Sequence, residues 1–237
     1  MVQHQPPEDL LLDYAAGTLP EPLAVLVATH LTLAPESRRV VHRMEDVGGA
    51  MMADLPPETM SSDALDRVMA RLDAAAPVDE PVDEDNVAPE TGPAPEIAAT
   101  RDAGTAHIPA PPLPAPLRAR LDVPLDKLAW RQRGRQVAEC TLLGDYPGFK
   151  TRLLRINAGA HVPAHTHHGR EFTLVLQGAF SDSTGRYARG DVAVADPEVT
   201  HQPVADAGED CLCLAVTDAP LKMTGPVGRV LNFFIDM

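Results

Sequence analysis

The sequence predicts an α+β multidomain chain: a small all-α helical unit over residues 1–73, an acidic Pro/Ala-rich linker over 74–115, and an all-β sandwich or barrel over 116–237. Three observations predict it. Apolar residues recur at helical spacing in the first third, the composition shifts abruptly to Ala, Pro, Asp and Glu in the middle, and short β-type runs separated by Gly, Pro, Asp and His follow. A length of 237 residues suits two modest domains.

The helices are set apart by their own stop and start signals. Leu10, Leu11, Tyr14 and Ala15 fall on one helical face, Gly17 can terminate that helix, and Pro20 can open the next at its first position. The second helix runs through Leu23, Val25, Leu26 and His30. Pro35 offers a third start, and Val40, Val41, Met44 and Val47 carry it to about Met52, with Gly48 and Gly49 weakening its end. Ser61 or Ser62 can cap a fourth helix, whose Leu65, Val68, Met69 and Leu72 form a single apolar stripe. So small a helical unit buries little area alone, so it should draw stability from a partner, a metal or the rest of the chain.

Acidic clusters at Asp79, Glu80, Asp83, Glu84 and Asp85 among prolines cannot offset their ordering entropy by burial, which makes 74–115 an extended, flexible linker. Beyond Leu121, strands are expected at Thr151 to Ile156, Phe172 to Leu176, Asp191 to Ala195 and Cys211 to Val216. Their close spacing is that of a sandwich or barrel.

Charge and composition exclude several functions. A formal charge of −14 without Lys/Arg clusters argues against direct nucleic-acid binding, which needs cations to displace phosphate counterions. In the N-terminal region the longest apolar run, Leu23 to Ala28, is far short of the ~20 residues that span a bilayer, so a soluble, cytoplasmic protein without membrane contact is expected. Cys140, Cys211 and Cys213 are three in number and read as reduced thiols. Cys211 and Cys213 share a strand face, either as small apolar core residues or as a redox pair or lining of the barrel near the metal.

The chemically informative stretch runs from Gly159 to Gly178. His165, His167 and Glu171 have one parity, so in an extended chain their side chains share a face. Two imidazoles and a carboxylate turned into a barrel interior would be costly unpaired, and one divalent cation accepting all three removes that cost. His201 supplies a fourth ligand from a later segment, after the Gly190–Asp191 turn and Pro197. Such a set suits Zn first, with Fe, Mn or Ni also compatible. His161 and His168 lie outside this frame and are expected to be solvated or to support the ligands by hydrogen bonds.

These two segments resemble the two cupin motifs, which implies a jelly-roll barrel for 116–237. The first follows the pattern of glycine, five residues, His-x-His, three residues, Glu, six residues, glycine throughout. The second departs from it, with Val199 near the usual glycine, Pro197 one residue late and no asparagine after His201.

The order of helices, acidic linker and barrel, with the phrases LDYAAGTL (Leu12 to Leu19), VATHL (Val27 to Leu31) and FTLVLQGAF (Phe172 to Phe180), is similar to the ChrR family of cupin-containing anti-sigma factors. The resemblance spans nearly all of the chain except the linker. It implies an anti-sigma helical domain that binds an extracytoplasmic-function sigma factor and hides its polymerase-binding surfaces. It also implies a cupin whose metal is needed to respond to singlet oxygen and related oxidants. In that family the helical domain holds zinc through an early His and a His-x3-Cys-x2-Cys motif. His4 and His30 match, but Ala34 and Ser37 replace the cysteines, so an N-terminal zinc is not expected and His4 and His30 are expected to be vestigial or satisfied by local hydrogen bonds. The balance is against an enzyme. The alternative is a metal-dependent cupin of dioxygenase or isomerase type, with a scaffold barrel behind it, and homodimerisation through the cupin is left open.

Overall fold

The computed structural model describes residues 2–74, 113–144, 146–167 and 169–218, and the backbone of 221–223. Most of the expected linker, and His168, lie outside the described residues. The chain divides into two compact units, one made of Met1–Ala53 with Pro109–Met237 and the other of Asp54–Ile108. The first three helices therefore share a unit with the strands.

In the larger unit, α1 (Glu8–Ala15), α2 (Glu21–Leu33) and α3 (Pro35–Ala53) follow the expected order. Gly17 sits past the end of α1 at φ 69°, a conformation glycine adopts freely. Pro20 caps α2 rather than opening it, and Pro22 occupies the first turn. α3 continues through Gly48 and Gly49 to Ala53. Nothing lies within 4 Å of the space a Cβ would fill at either, so each adds only the ~1 kcal/mol propensity cost of glycine.

α2 is apolar nearly all round, which is the pattern of a helix buried on all sides. Leu23, Val25, Leu26, Val27 and Leu31 are buried, each contributing roughly 1.5–3 kcal/mol of gross apolar burial. They join Leu10, Leu11 and Val41 of the neighbouring helices and Leu117 of the short α5 (Ala115–Arg118) in one cluster with Leu142, Leu153, Phe172, Leu174, Leu214 and Val216 of the strands. These three helices thus draw stability from the strands they pack on.

Eleven strands are assigned among the described residues: β1 (Arg131–Arg133), β2 (Val137–Leu142), β3 (Lys150–Ile156), β4 (His165–His167), β5 (Glu171–Gln177), β6 (Ala179–Ser181), β7 (Arg186–Ala188), β8 (Val192–Ala195), β9 (Val204–Ala205), β10 (Cys211–Thr217) and β11 (Leu221–Met223). They form a six-stranded sheet in the order β1-β2-β3-β10-β5-β8, a three-stranded sheet β7-β6-β9 and a pair β11-β4, with every pairing antiparallel. The four expected strands are present, and the others are two to six residues long.

The large sheet is covered on both faces. Leu153, Leu174 and Leu214 face the helices, whereas Val175, Cys211 and Cys213 belong to a second cluster with Ile156, Phe180 and Tyr187 on the barrel side. That is why β10 reads CLCLAVT with every residue buried instead of alternating with polar ones. At Gly178, φ is 68° and a Cβ would stand 2.7 Å from the carbonyl oxygen of Asp210, so glycine is required where β5 turns into β6.

The smaller unit contains α4 (Ala64–Ala74), with the amide of Ala64 bonded to the Ser61 carbonyl. Its expected stripe is present and unburied: Leu65, Val68, Met69 and Leu72 are 49–67% exposed.

Candidate metal centre and its surroundings

β4 carries His165 and His167 with the alternation of an extended strand, so both imidazoles are buried on one face while Thr166 points away. The Thr166 hydroxyl donates to the carbonyls of Val199 (2.9 Å) and Pro197 (3.0 Å), which pins the second motif segment against β4. A reciprocal pair of backbone bonds between His165 and His201, each 3.0 Å, then sets His201 directly opposite. Glu171 opens β5, paired with Ala195 on one side and Thr217 on the other.

All four expected residues come together: their ligand atoms lie within 4.8 Å of one another, and all four side chains are buried. The His201 Nε2 stands 3.1 Å from the Nε2 of both His165 and His167, and the His167 Nε2 lies 3.6 Å from a Glu171 oxygen.

The donor chemistry fits a cation. His165 Nδ1 donates to the Pro163 carbonyl at 2.8 Å, and His201 Nδ1 donates to Asp182 at 3.0 Å. Both rings therefore turn a lone pair inward at Nε2, and two facing lone pairs at 3.1 Å cannot hydrogen-bond. His167 can give only one Nε2 proton to this cluster, and its Nδ1 is buried without a partner. Burial drives the His165 pKa down to about 4, against the pull of its bond to Pro163, so this imidazole is a free Nε2 acceptor at neutral pH. Burial likewise lowers that of His167. Three imidazoles and a carboxylate with convergent ligand atoms can hold a metal in the barrel.

Several supporting residues carry no sequence signal, because they reach the site from separate strands. Asp182, just beyond β6, orients His201. Burial works to raise its carboxyl pKa, but hydrogen bonds from Thr184 and His201 outweigh burial and hold it below the usual range. Arg152 of β3 lies 3.6 Å from Glu171 and 3.8 Å from Glu139, and Glu139 is held by Arg133 at 2.6 Å. Beside the cluster opens a cavity of about 530 Å³, lined by Leu154, Ile156, Val162, Phe180 and Ala193 among others.

His161 is exposed at a bridge to Val204, away from the cluster. Cys211 and Cys213 are buried with sulfurs 3.5 Å apart, and Cys213 lines the cavity. The hydrogen bond that the Cys213 thiol gives to Cys211, then burial, pushes the Cys213 thiol well up. The pair is thus core-buried, as one sequence reading had it, on the face that lines the cavity beside the His/Glu cluster.

At the N-terminal positions, His30 is fully buried with both ring nitrogens engaged: Nδ1 donates to the Gly190 carbonyl (2.8 Å), and the Ser37 hydroxyl lies 2.8 Å from Nε2. Ser37 thus offers a hydrogen bond where the family has a thiolate, and Ala34 is packed in the core. His4 packs against Tyr187, ring centroids 4.5 Å apart and tilted by 47°.

Residues 118–220 match the family model described as the ChrR cupin-like domain. Over 233 residues the chain is 38% identical to the anti-sigma-E factor ChrR of Cereibacter sphaeroides, covering 98% of both chains. It also resembles a chain in the crystal structure of Rhodobacter sphaeroides SigE in complex with the anti-sigma ChrR. There the TM-score is 0.69 at 36% identity, over 92% of this chain and 99% of that one.

Proposed function

This chain belongs to the ChrR family of cupin-containing anti-sigma factors, and from that premise we propose that it binds and inhibits an extracytoplasmic-function sigma factor through its N-terminal helices. It releases that factor when the metal cupin senses an oxidative signal of the singlet-oxygen kind. The observation that carries the binding half is α4: four large apolar side chains on one helical face, all exposed, are a groove-docking surface of the kind that partner helices recognise. The charge of −14 points that surface at protein rather than nucleic acid.

The sensing half places one divalent ion on His165, His167, Glu171 and His201, with zinc first among the candidates and Fe, Mn or Ni compatible with the same ligands. The N-terminal helices need no zinc, because His30, Ser37 and the Gly190 carbonyl form a hydrogen-bonded core in its place. No described helix is long and apolar enough to cross a membrane, and a cytoplasmic location fits a sigma-factor partner.

A signal in the barrel has a short route to the helices. β8 pairs with the start of β5, where Glu171 lies, and follows directly on Asp191. The Asp191 carboxylate accepts the amides of Gln3 (2.6 Å) and His4 (2.9 Å). A signal works by favouring one of two arrangements of this joint.

The test is co-expression with each alternative sigma factor of the source genome, followed by pull-down and metal analysis of the same sample. A stoichiometric complex with about one metal per chain is expected. Metal with no sigma partner would move the assignment to a metal-dependent cupin enzyme.

A further inference from the structure

We propose that the barrel cavity is a binding site for a small amphipathic organic anion, a medium-chain carboxylate in class. Its carboxylate seats on Arg152, and its hydrocarbon lies along Leu154, Ile156, Val162 and Phe180. The inference rests on the reading that the adjacent cluster holds a divalent ion.

The first argument is size and lining. At about 530 Å³ the cavity falls within the ~300–1,000 Å³ of small-molecule sites, and its apolar wall is broken by a few polar groups, as such sites are.

The second is which of those polar groups lacks a partner. The carboxylates facing the cavity all have cationic or donor neighbours: Glu139 has Arg133 at 2.6 Å, Asp182 has Thr184 and His201, and Glu171 faces His167 and the hydroxyl of Thr173. Arg152 is the opposite case. Its side chain is 16% exposed, and its two carboxylate neighbours stand at 3.6 and 3.8 Å, beyond hydrogen-bond reach. Its Nε is buried with no hydrogen-bond partner, and its Nη1 and Nη2 have those two carboxylates only at ion-pair distance. A guanidinium presents five N–H groups in a fixed fork that matches a carboxylate. What the cavity lacks is an acceptor, which an amine or an alkane cannot supply.

The third is charge. Arg133 and Arg152 face the carboxylates of Glu139, Glu171 and Asp182, a balance of minus one. A divalent ion on the neutral imidazoles turns that into plus one, and a single monoanion then neutralises a desolvated cavity. The ligand should therefore bind the metal-loaded protein and not the stripped one.

Titration calorimetry of the full metal-loaded chain with butanoate, hexanoate and octanoate, alongside octan-1-ol and octylammonium, tests this. Metal per chain is measured by mass spectrometry on the same samples. Saturable one-to-one binding of octanoate is expected, tightening roughly four-fold per methylene, which is ~0.8 kcal/mol of apolar burial converted by RT. Octan-1-ol, octylammonium and metal-stripped protein should bind at least about ten-fold more weakly. Arg152→Met should weaken octanoate by about thirty-fold or more, Arg152→Lys should recover part of the loss, and octan-1-ol should be indifferent to both. Ala193→Leu, which fills the cavity, should abolish octanoate binding with metal content unchanged, and it decides the matter if Arg152→Met loses its fold or metal. Metal present without octanoate binding, or octanoate binding indifferent to Arg152→Met, overturns this inference alone. Absence of metal from the chain overturns the metal reading and this inference together, and the metal count tells the two failures apart.

Discussion

Replacing Asp191 by Asn removes the charge from the joint between the N-terminal segment and the barrel. The carboxylate is 3% exposed and accepts three backbone amides: Gln3 at 2.6 Å and His4 at 2.9 Å on Oδ1, and Ala188 at 2.9 Å on Oδ2. An asparagine oxygen can still accept the first two, but its amide nitrogen then confronts the Ala188 N–H, donor against donor. One charge-assisted bond of roughly 1.5–3 kcal/mol is lost, and two others fall toward the ~0.5–1.5 kcal/mol of neutral bonds. Because such terms are not additive, the expected loss is about 2–4 kcal/mol, a fall in Tm of about 5–15 °C for a chain of this size. Urea unfolding followed by circular dichroism reads the loss as a lower midpoint at unchanged slope. Hydrogen exchange should show the amides of Gln3, His4 and Ala188 deprotected first. A loss below about 0.5 kcal/mol with those three amides still protected would refute the reasoning that this carboxylate fastens the segment.

Other expectations follow from neighbouring residues. His30 is buried neutral, with its pKa lowered by burial from 6.5, so below about pH 6.5 the unfolded chain takes up a proton that the folded chain refuses. Its contribution is therefore complete above pH 6.5 and is lost as pH falls toward the lower folded value. A urea midpoint that declines from pH 7 to pH 5, with a shallower decline in His30→Asn, would bear this out, and equal slopes would contradict it. Asp182→Ala should weaken metal affinity about 10- to 100-fold by releasing His201 from its tautomer, measurable by competition with a chelator. His167→Ala should leave the chain largely without metal. On α4, Leu65→Asp with Met69→Asp should weaken sigma binding by about 2–4 kcal/mol, or 30- to 1,000-fold, and leave thermal stability within about 0.5 kcal/mol because both side chains are exposed. Unchanged affinity would exclude this helix face as the docking surface.

The order of elements and the four clustered residues were legible in the sequence because they rest on local rules. The first helix stops short of Gly17 and the second starts just past Pro20, and strand parity alone puts His165, His167 and Glu171 on one face. His201 was legible only through a motif, and what brings it within 3.1 Å of the other imidazoles is the bridge to His165 across 36 residues. The short strands β1, β4, β6, β7, β9 and β11 escaped, since two or three residues carry too little periodicity to be seen, and the six-residue β2 escaped with them.

What only the tertiary structure decided is everything that depends on two distant segments meeting. Sequence periodicity says that α2 is apolar, but only packing shows that it is buried in one core with β10. It shows Ala34 and Ser37 where a zinc site of that kind would need thiolates, yet only the fold brings the Gly190 carbonyl to His30 across 160 residues and gives that imidazole its hydrogen bond. Arg152, Glu139 and Asp182 are ordinary surface-type residues in the sequence, and they become the lining of a metal-side cavity because antiparallel pairing turns alternate side chains of separate strands toward one interior. Local pattern determines which way a side chain points, and long-range pairing determines what it meets there.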